Sequence, residues 1–361
     1  MKLAFIHGPM REEVHMLPRD VPFVVVECRK DAAYGAEQLR RLSECDAFYV
    51  TAAPVTAQVL EACPGLKMIQ TSGTGYDGID IAAATARGIL CCNNADTNSG
   101  RSADFAMLST LSLIRNYIPT VTAMKGGLDW EAARHEGIAA LETEGKTLGI
   151  LGFGDIGHKL ALRAQGFGMR IIYCDINAHA HRATAQKLGA KRVGLDTLCS
   201  RADVISVHVP LDEHTHHMLG AREFALMKDG VFIVCTARGG IVDELALRRA
   251  LDSGKVAGAA IDVFSMEPIS PDNPLVGAPC VCLTPHVASR GREGVVRSFH
   301  LGIANIRDFI QRGRTPANIL NPEARPGLPK KAGPRKKAMK KAARPAPMIA
   351  RMAAKQKAMR R

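Results

Sequence analysis

The stretch that most limits what this chain can fold into is 147–175, T-L-G-I-L-G-F-G-D-I-G-H-K-L-A-L-R-A-Q-G-F-G-M-R-I-I-Y-C-D. Residues 148–151 form an apolar run that reads as a buried parallel strand. Gly152-Phe-Gly154-Asp155-Ile156-Gly157 follows, then a helix-like segment at 158–165 and a second apolar strand at 169–174 that runs into Asp175. Strand, glycine turn, helix, strand and acid in this order are the context a G-x-G-x-x-G needs to bind a dinucleotide. Gly152 permits the tight turn, Gly154 lets the backbone approach a pyrophosphate, and Gly157 lets the helix pack close to the strand. The helix N-terminus favours the anion, and Asp155 and Ile156 complete the cofactor turn. Asp175 would accept hydrogen bonds from the adenosine ribose and repel a 2′-phosphate, so NAD(H) is expected in preference to NADP(H).

The turn sits in mid-chain, so the residues before it must build something of their own. A length of 361 residues exceeds what one core usually serves, and 47% hydrophobic content is ordinary for a globular chain. No apolar run reaches the roughly 18 residues of a membrane span. The opening M-K-L-A-F-I-H is too short for a secretory core and reads as a first strand. Ten cysteines are scattered without a C-x-x-C pair. Cys174, Cys235, Cys280 and Cys282 are expected in apolar strands as small hydrophobes, and the adjacent Cys91 and Cys92 are too constrained for an ordinary disulfide. This usage fits a reducing cytoplasm.

Charge is distributed unevenly. Of 48 Lys and Arg and 35 acidic residues, 14 basic residues and one acid (Glu323) lie in 323–361, so the net charge of +13 belongs to that segment and residues 1–322 balance. Rich in Lys, Ala and Pro and without an aromatic residue, 323–361 is expected to be a disordered tail. Its end, 348–361, has the makings of a short basic helix.

The body alternates strand and helix twice. Strands are expected at 2–6, 23–27, 47–50, 68–70 and 89–91, with helices at 36–42, 57–62 and 81–86; further strands follow at 204–208, 231–235, 258–261 and 281–283, and a last helix at 294–312. Alternation of this kind implies parallel sheets wound with helices. The expected architecture is two Rossmann-like, doubly wound α/β domains with a cleft between them. Residues 1–98 and a return at 289–322 form a substrate domain, 99–288 an NAD-binding domain, and 323–361 the tail.

Further motifs occur in order: Gly73-Thr-Gly75-Tyr-Asp77-Gly-Ile-Asp80, Asn98-Ser-Gly-Arg-Ser-Ala-Asp104, His208-Val-Pro210, Thr236-Ala-Arg238-Gly239, Asp262-Val-Phe264-Ser-Met-Glu267-Pro268 and Thr284-Pro285-His286. With the glycine turn, the ordered set resembles the D-isomer-specific 2-hydroxyacid dehydrogenase family over residues 45–322. The resemblance implies reversible hydride transfer between NADH and C2 of a 2-oxo acid. It makes Arg238 the cation for the substrate carboxylate, with a planar fork suited to bidentate recognition. It makes His286 the acid/base and Glu267 the carboxylate that orients the imidazole. It also implies that Asp262 holds the nicotinamide carboxamide, that Thr236 and Ala237 line the nicotinamide, and that Val209, Pro210 and Thr215 cover the adenosine. Thr74 and Gly75 would offer backbone amides to the substrate carboxylate. Relatives are usually dimers through the cofactor domain, so a homodimer is expected.

Two departures from the family pattern stand out. Arg101-Ser-Ala-Asp104 replaces the usual Ser-Val-Ala-Glu, and Arg290 follows the catalytic histidine as either a cation near the cleft or a solvated helix start. The segment 50–54 carries no cation for a phosphate, so a small unphosphorylated acid such as glyoxylate or hydroxypyruvate is expected as substrate. His214, His216 and His217 read as an exposed loop and not as a metal site, for want of convergent ligands. The tail supports a second class of reading, an NAD(H)-sensing, corepressor-like protein that binds nucleic acid or another polyanion and whose catalysis is vestigial.

Overall fold

The computed structural model describes residues 1–8, 21–29, 33–51, 53–127, 130–177, 179 and 181–325. The tail expected at 323–361 therefore lies outside the described residues from 326 on, as does its basic helix. The chain divides into two compact units: Met1–Asn94 with the described residues from Leu301 on, and Ala95–His300.

The first unit is a five-stranded parallel sheet of β1 (Leu3–His7), β2 (Phe23–Glu27), β3 (Ala47–Thr51), β4 (Met68–Thr71) and β5 (Leu90–Cys92), in the order β2-β1-β3-β4-β5. Every residue of β1, β4 and β5 is buried, as expected of parallel strands covered on both faces. The end of the chain returns to this sheet through buried asparagines. Asn321 Oδ1 accepts from Cys91 N at 2.7 Å while its Nδ2 donates to Ile89 O and to Thr85 Oγ1, both at 2.9 Å. Asn305 Nδ2 donates to Gln70 Oε1 at 2.6 Å, and its Oδ1 accepts from Ala317 N. The unit boundary falls at residues 300 and 301, inside the continuous helix Arg292–Ile310. No break in composition marks such a place.

The second unit is a seven-stranded parallel sheet of β6 (Thr147–Leu151), β7 (Arg170–Cys174), β8 (Lys191–Arg192), β9 (Val204–Val207), β10 (Val231–Cys235), β11 (Val256–Ile261) and β12 (Val281–Leu283). Its order is β12-β11-β10-β9-β6-β7-β8, so the strand order reverses between β6 and β9. Alternate residues feed two cores, as the two-residue period of a strand requires. Leu148, Ile150, Ile171, Tyr173 and Val204 pack with Ala103, Ala106 and Met107 of helix Ser99–Ile114 and with Leu160, Ala161 and Ala164 of helix Gly157–Gln165. Leu151, Ile205, Val207, Ile233 and Ile261 pack on the other face, with Leu198, Phe224 and Leu247 from three further helices.

One strand assignment from sequence is corrected. Cys280 is exposed and lies outside β12, with φ at 53°. Its carbonyl accepts from Ala259 N, so it ends the approach to the sheet as a bend. Cys235 is buried within β10, where the desolvated thiol is pushed up to about 11.

Candidate active site

Parallel strands bring their C-terminal ends to one edge, and in the second unit six consecutive strands deliver polar loops there. From one side of the edge to the other these carry His286 after β12, Asp262 and Glu267 after β11, Thr236 and Arg238 after β10, and His208 and Val209 after β9. The glycine turn after β6 and Asp175 after β7 complete the row. The turn occupies the switch point, where open α/β sheets bind ligands.

The glycines separate into two kinds. Gly152 has φ at 94°, and a Cβ on it would lie 2.8 Å from the carbonyl carbon of His208; one on Gly157 would lie 2.2 Å from Gly152 O. Both are demanded by the protein's own packing. Gly154 is different: a Cβ there would meet nothing within 4 Å. Asp175 is anchored to the turn, its Oδ2 accepting from Phe153 N at 2.6 Å and its Oδ1 from Asn177 N at 2.7 Å. Ile156 is the half-buried residue from which the helix starts, and Asp155 is exposed.

At the other end of the row, His286 and Glu267 are paired. His286 Nδ1 lies 2.9 Å from Glu267 Oε2 and 3.1 Å from Oε1. A carboxylate here can only accept, so Nδ1 carries a hydrogen and Nε2 is the nitrogen that Glu267 leaves unengaged. The loop bearing the imidazole is held by Asp262, which is 1% exposed. Its Oδ1 accepts from Thr284 Oγ1 at 2.6 Å and Val287 N at 2.8 Å, its Oδ2 from Ala288 N at 2.8 Å, and its carbonyl from His286 N at 2.8 Å. Most of the accepting capacity of Asp262 thus serves the histidine loop. Arg238 is brought to the same place by Gly239, whose Cβ position is 1.9 Å from the carbonyl carbon of Phe264. Only a glycine lets the Arg238 turn lie on the Glu267 loop. Arg238 Nη1 donates to Ala237 O at 2.7 Å, and the residue is half-buried.

A family model described as D-isomer specific 2-hydroxyacid dehydrogenase, NAD binding domain, matches residues 107–288. The glyoxylate reductase of Korarchaeum cryptofilum is 38% identical over 287 residues, 79% of this chain and 85% of that protein. The D-3-phosphoglycerate dehydrogenase of Archaeoglobus fulgidus is also 38% identical over 79% of this chain, which spans 53% of that longer relative. A solved glyoxylate reductase from Paecilomyes thermophila has a TM-score of 0.73 at 33% identity, covering 88% of this chain and 98% of that one. The chain belongs to the D-isomer-specific 2-hydroxyacid dehydrogenase family. It is an NAD-dependent oxidoreductase acting on CH–OH groups, on two parallel-sheet α/β domains.

The residues of this 2-hydroxyacid dehydrogenase fit its cofactor. The space at Gly154 leaves room for a pyrophosphate to approach the backbone. Thr236 Oγ1 and His208 Nδ1 are buried polar atoms without a hydrogen-bond partner among the described residues, both in loops of the same edge. Buried polar atoms left in this way are costly unless a ligand or water satisfies them. Ala237 is buried beside Thr236, and Val209 packs on the core while Pro210 is exposed. Thr215 is buried, but its hydroxyl donates to Pro210 O at 2.7 Å and accepts from Asp212 N at 2.8 Å, so it shapes the loop that begins at Val209.

Thr74 and Gly75 follow β4 at the corresponding edge of the first unit, where Thr74 O accepts from Asn93 Nδ2. His214, His216 and His217 are exposed, and Arg290 is exposed where helix Arg292–Ile310 approaches. Sequence reasoning missed two supports. Glu244 holds the loop before Glu267, accepting from Ser265 N at 2.7 Å and from Asn273 Nδ2 at 2.7 Å. Arg101 Nε donates to Ser289 O at 2.7 Å, a second tie on the segment that follows His286. The Arg238 to Gly239 sequence hints at the close contact, but nothing local to Glu244 marks its partner 21 residues on.

Proposed function

We propose that the enzyme is a reductase of small, unphosphorylated 2-oxo acids, with glyoxylate and hydroxypyruvate the leading candidates. The observation that carries this reading is the His286–Glu267 pair, whose carboxylate engages Nδ1, at the same sheet edge as the Arg238 turn. NADH, when bound, supplies the hydride that goes to C2. Arg238 holds the substrate carboxylate and so fixes which face of the carbonyl is presented. His286, entering the reduction protonated on both ring nitrogens, gives its Nε2 proton to the carbonyl oxygen as charge develops there and is left neutral with its hydrogen on Nδ1, where Glu267 keeps the ring oriented. Asp262 positions the histidine loop and keeps one lone-pair site for a carboxamide. The lack of a cation in 50–54 favours the unphosphorylated acid, and so does length: the chain spans 85% of the glyoxylate reductase but 53% of the equally identical phosphoglycerate dehydrogenase.

The test follows NADH absorbance with a panel of small 2-oxo acids, with NADPH and His286→Ala as controls. Turnover with one or two acids, lost in the variant, supports the reading. Tight NADH binding without turnover on any acid sinks it and favours the cofactor-sensing alternative.

A homodimer is supported by exposed apolar side chains gathered on consecutive helices of the second unit: Leu108, Tyr117, Ile118, Met124, Trp130 and Ile138, the last at 77% exposure. Large apolar side chains left exposed in such number on neighbouring stretches of chain are what an interaction face would cover. Light scattering on the wild type and on Trp130→Glu with Ile138→Glu tests it. No helix among the described residues is long and apolar enough to cross a membrane. A reducing, cytoplasmic setting is supported by ten cysteines that form no disulfide. The basic segment 323–361 is read as a polyanion-binding tail; salt-dependent binding to a nucleic acid, lost on its deletion, is the expected result.

A further inference from the structure

We propose that Asp155, His158 and His181 form a binding site for a divalent transition-metal ion of the Zn2+ type, on the flank of the glycine turn. The three residues come from separate places in the fold. Asp155 lies in the turn itself, His158 in the first turn of helix Gly157–Gln165, and His181 immediately before helix Arg182–Lys187, beyond β7 and Asp175. One ligand atom from each lies within 4.8 Å of those of the other two. Among the described residues this is the one group of three or more His, Cys, Asp or Glu side chains that converge in this way.

His181 Nε2 is 3.1 Å from Asp155 Oδ1, and the imidazoles of His158 and His181 stack with centroids 3.7 Å apart and planes 16° from parallel. An ion lies in the plane of each imidazole that binds it, so the half-buried His181 ring turns about its Cβ–Cγ bond and leaves the stack as the ion enters. His158 Nδ1 bonds the carbonyl of Gly154 at 2.8 Å. A carbonyl only accepts, so this nitrogen carries the hydrogen and Nε2 keeps its lone pair. Metal-binding histidines are commonly held in this manner, one ring nitrogen donating to a backbone carbonyl and the other left for the ion.

Donor chemistry selects the ion. Two imidazole nitrogens and one carboxylate oxygen suit Zn2+, Co2+ or Ni2+, whereas Mg2+ and Ca2+ prefer oxygen throughout. Three protein ligands leave a fourth tetrahedral position to solvent. Asp155 is exposed and both histidines are half-buried, so the ion has a way in. Hydride and proton transfer use none of the three side chains, while Asp155 belongs to the turn that receives the cofactor, so the ion would sit at the margin of the NAD site.

The test is calorimetric titration of the full-length, metal-free chain with Zn2+, alongside the visible spectrum with Co2+. One ion per chain is expected, with a tetrahedral cobalt band lacking the intense thiolate charge-transfer absorption that exposed Cys280 would give. His181→Asn removes the imidazole but keeps a side chain that tolerates the positive φ of 46° at this position, and should abolish the event. His158→Gln should do the same. The double variant His216→Ala/His217→Ala should bind as the wild type does. Zn2+ should raise the melting temperature of the wild type and leave that of His181→Asn unmoved. Absence of stoichiometric binding, a thiolate spectrum, or binding unchanged in a folded His181→Asn overturns the proposal.

Discussion

His286 and Glu267 meet at 2.9 Å through Nδ1 and Oε2, and that bond decides which nitrogen of the imidazole is free for chemistry. Glu267 is itself placed by Phe264 N, which donates to its Oε1 at 3.2 Å, and the whole loop is tied to Glu244. In the proposed role of His286 as proton donor, such support would spare the ring from having to be organised during the reaction.

Replacing Glu267 with Gln leaves a hydrogen-bonding side chain but removes the charge and lets the amide present either face to Nδ1. We expect kcat to fall about 10- to 100-fold with the KM for NADH little changed. His286→Ala should cost more, within the roughly 10²- to 10⁴-fold range of a lost general acid. Steady-state kinetics with saturating NADH separates the two; equal losses in both variants would mean that Glu267 does more than orient the ring.

Arg238→Lys keeps a positive charge and loses the fork. If the guanidinium binds the substrate carboxylate through two parallel hydrogen bonds, kcat/KM should fall by about 10- to 100-fold, the equivalent of roughly 1.4 to 2.7 kcal/mol. The loss should appear chiefly in the KM for the oxo acid. A wild-type KM in Arg238→Lys would show that a point charge suffices there.

Much of this molecule is legible in its sequence, and the reasons are local. The strands at 23–27, 231–235 and 281–283 and the glycine turn declare themselves by short apolar runs and by residues that only one backbone shape accepts. Arg238, Glu267 and His286 follow strands, so the topology carries them to one edge. What could not be read are contacts made across the chain. In sequence Arg101 shows only as a departure from the family's usual serine, yet its guanidinium is partly buried against Ser289 O, and that burial lowers its pKa from the ordinary arginine value. Cys280 sits in an apolar run but bends with positive φ, because the approach to an edge strand has no second neighbour to extend it. The triplet of Asp155, His158 and His181 is invisible in sequence, since its third member arrives from beyond the next strand.

Two glycine substitutions should separate packing from ligand space. Gly239→Ala must push the Phe264 backbone away from a Cβ only 1.9 Å distant, displacing the Glu267 loop. A loss of about 1–3 kcal/mol or more in stability is expected, together with loss of activity. Gly154→Ala meets no protein atom within 4 Å, so its stability should match the wild type while the KM for NADH rises. Denaturant melts paired with kinetics decide the matter. Unchanged NADH affinity in Gly154→Ala would remove the pyrophosphate from that position.

The last prediction concerns pH and stability. His208 Nε2 is 2.8 Å from Ser206 Oγ, its Nδ1 is buried without a partner, and burial pushes its pKa down from 6.5 to about 4. Between those two values the unfolded chain binds a proton that the folded chain does not. Stability therefore rises with pH across the window: the contribution is complete above 6.5 and is lost progressively as pH falls toward 4. Its size is on the order of 2 kcal/mol, the partial exposure of the residue trimming what a wholly enclosed imidazole would give. Urea melts at several pH values across this interval should show a shallower slope for His208→Asn than for the wild type. Parallel curves for the two proteins would mean that the ring is hydrated or partnered in solution and titrates as freely folded as unfolded.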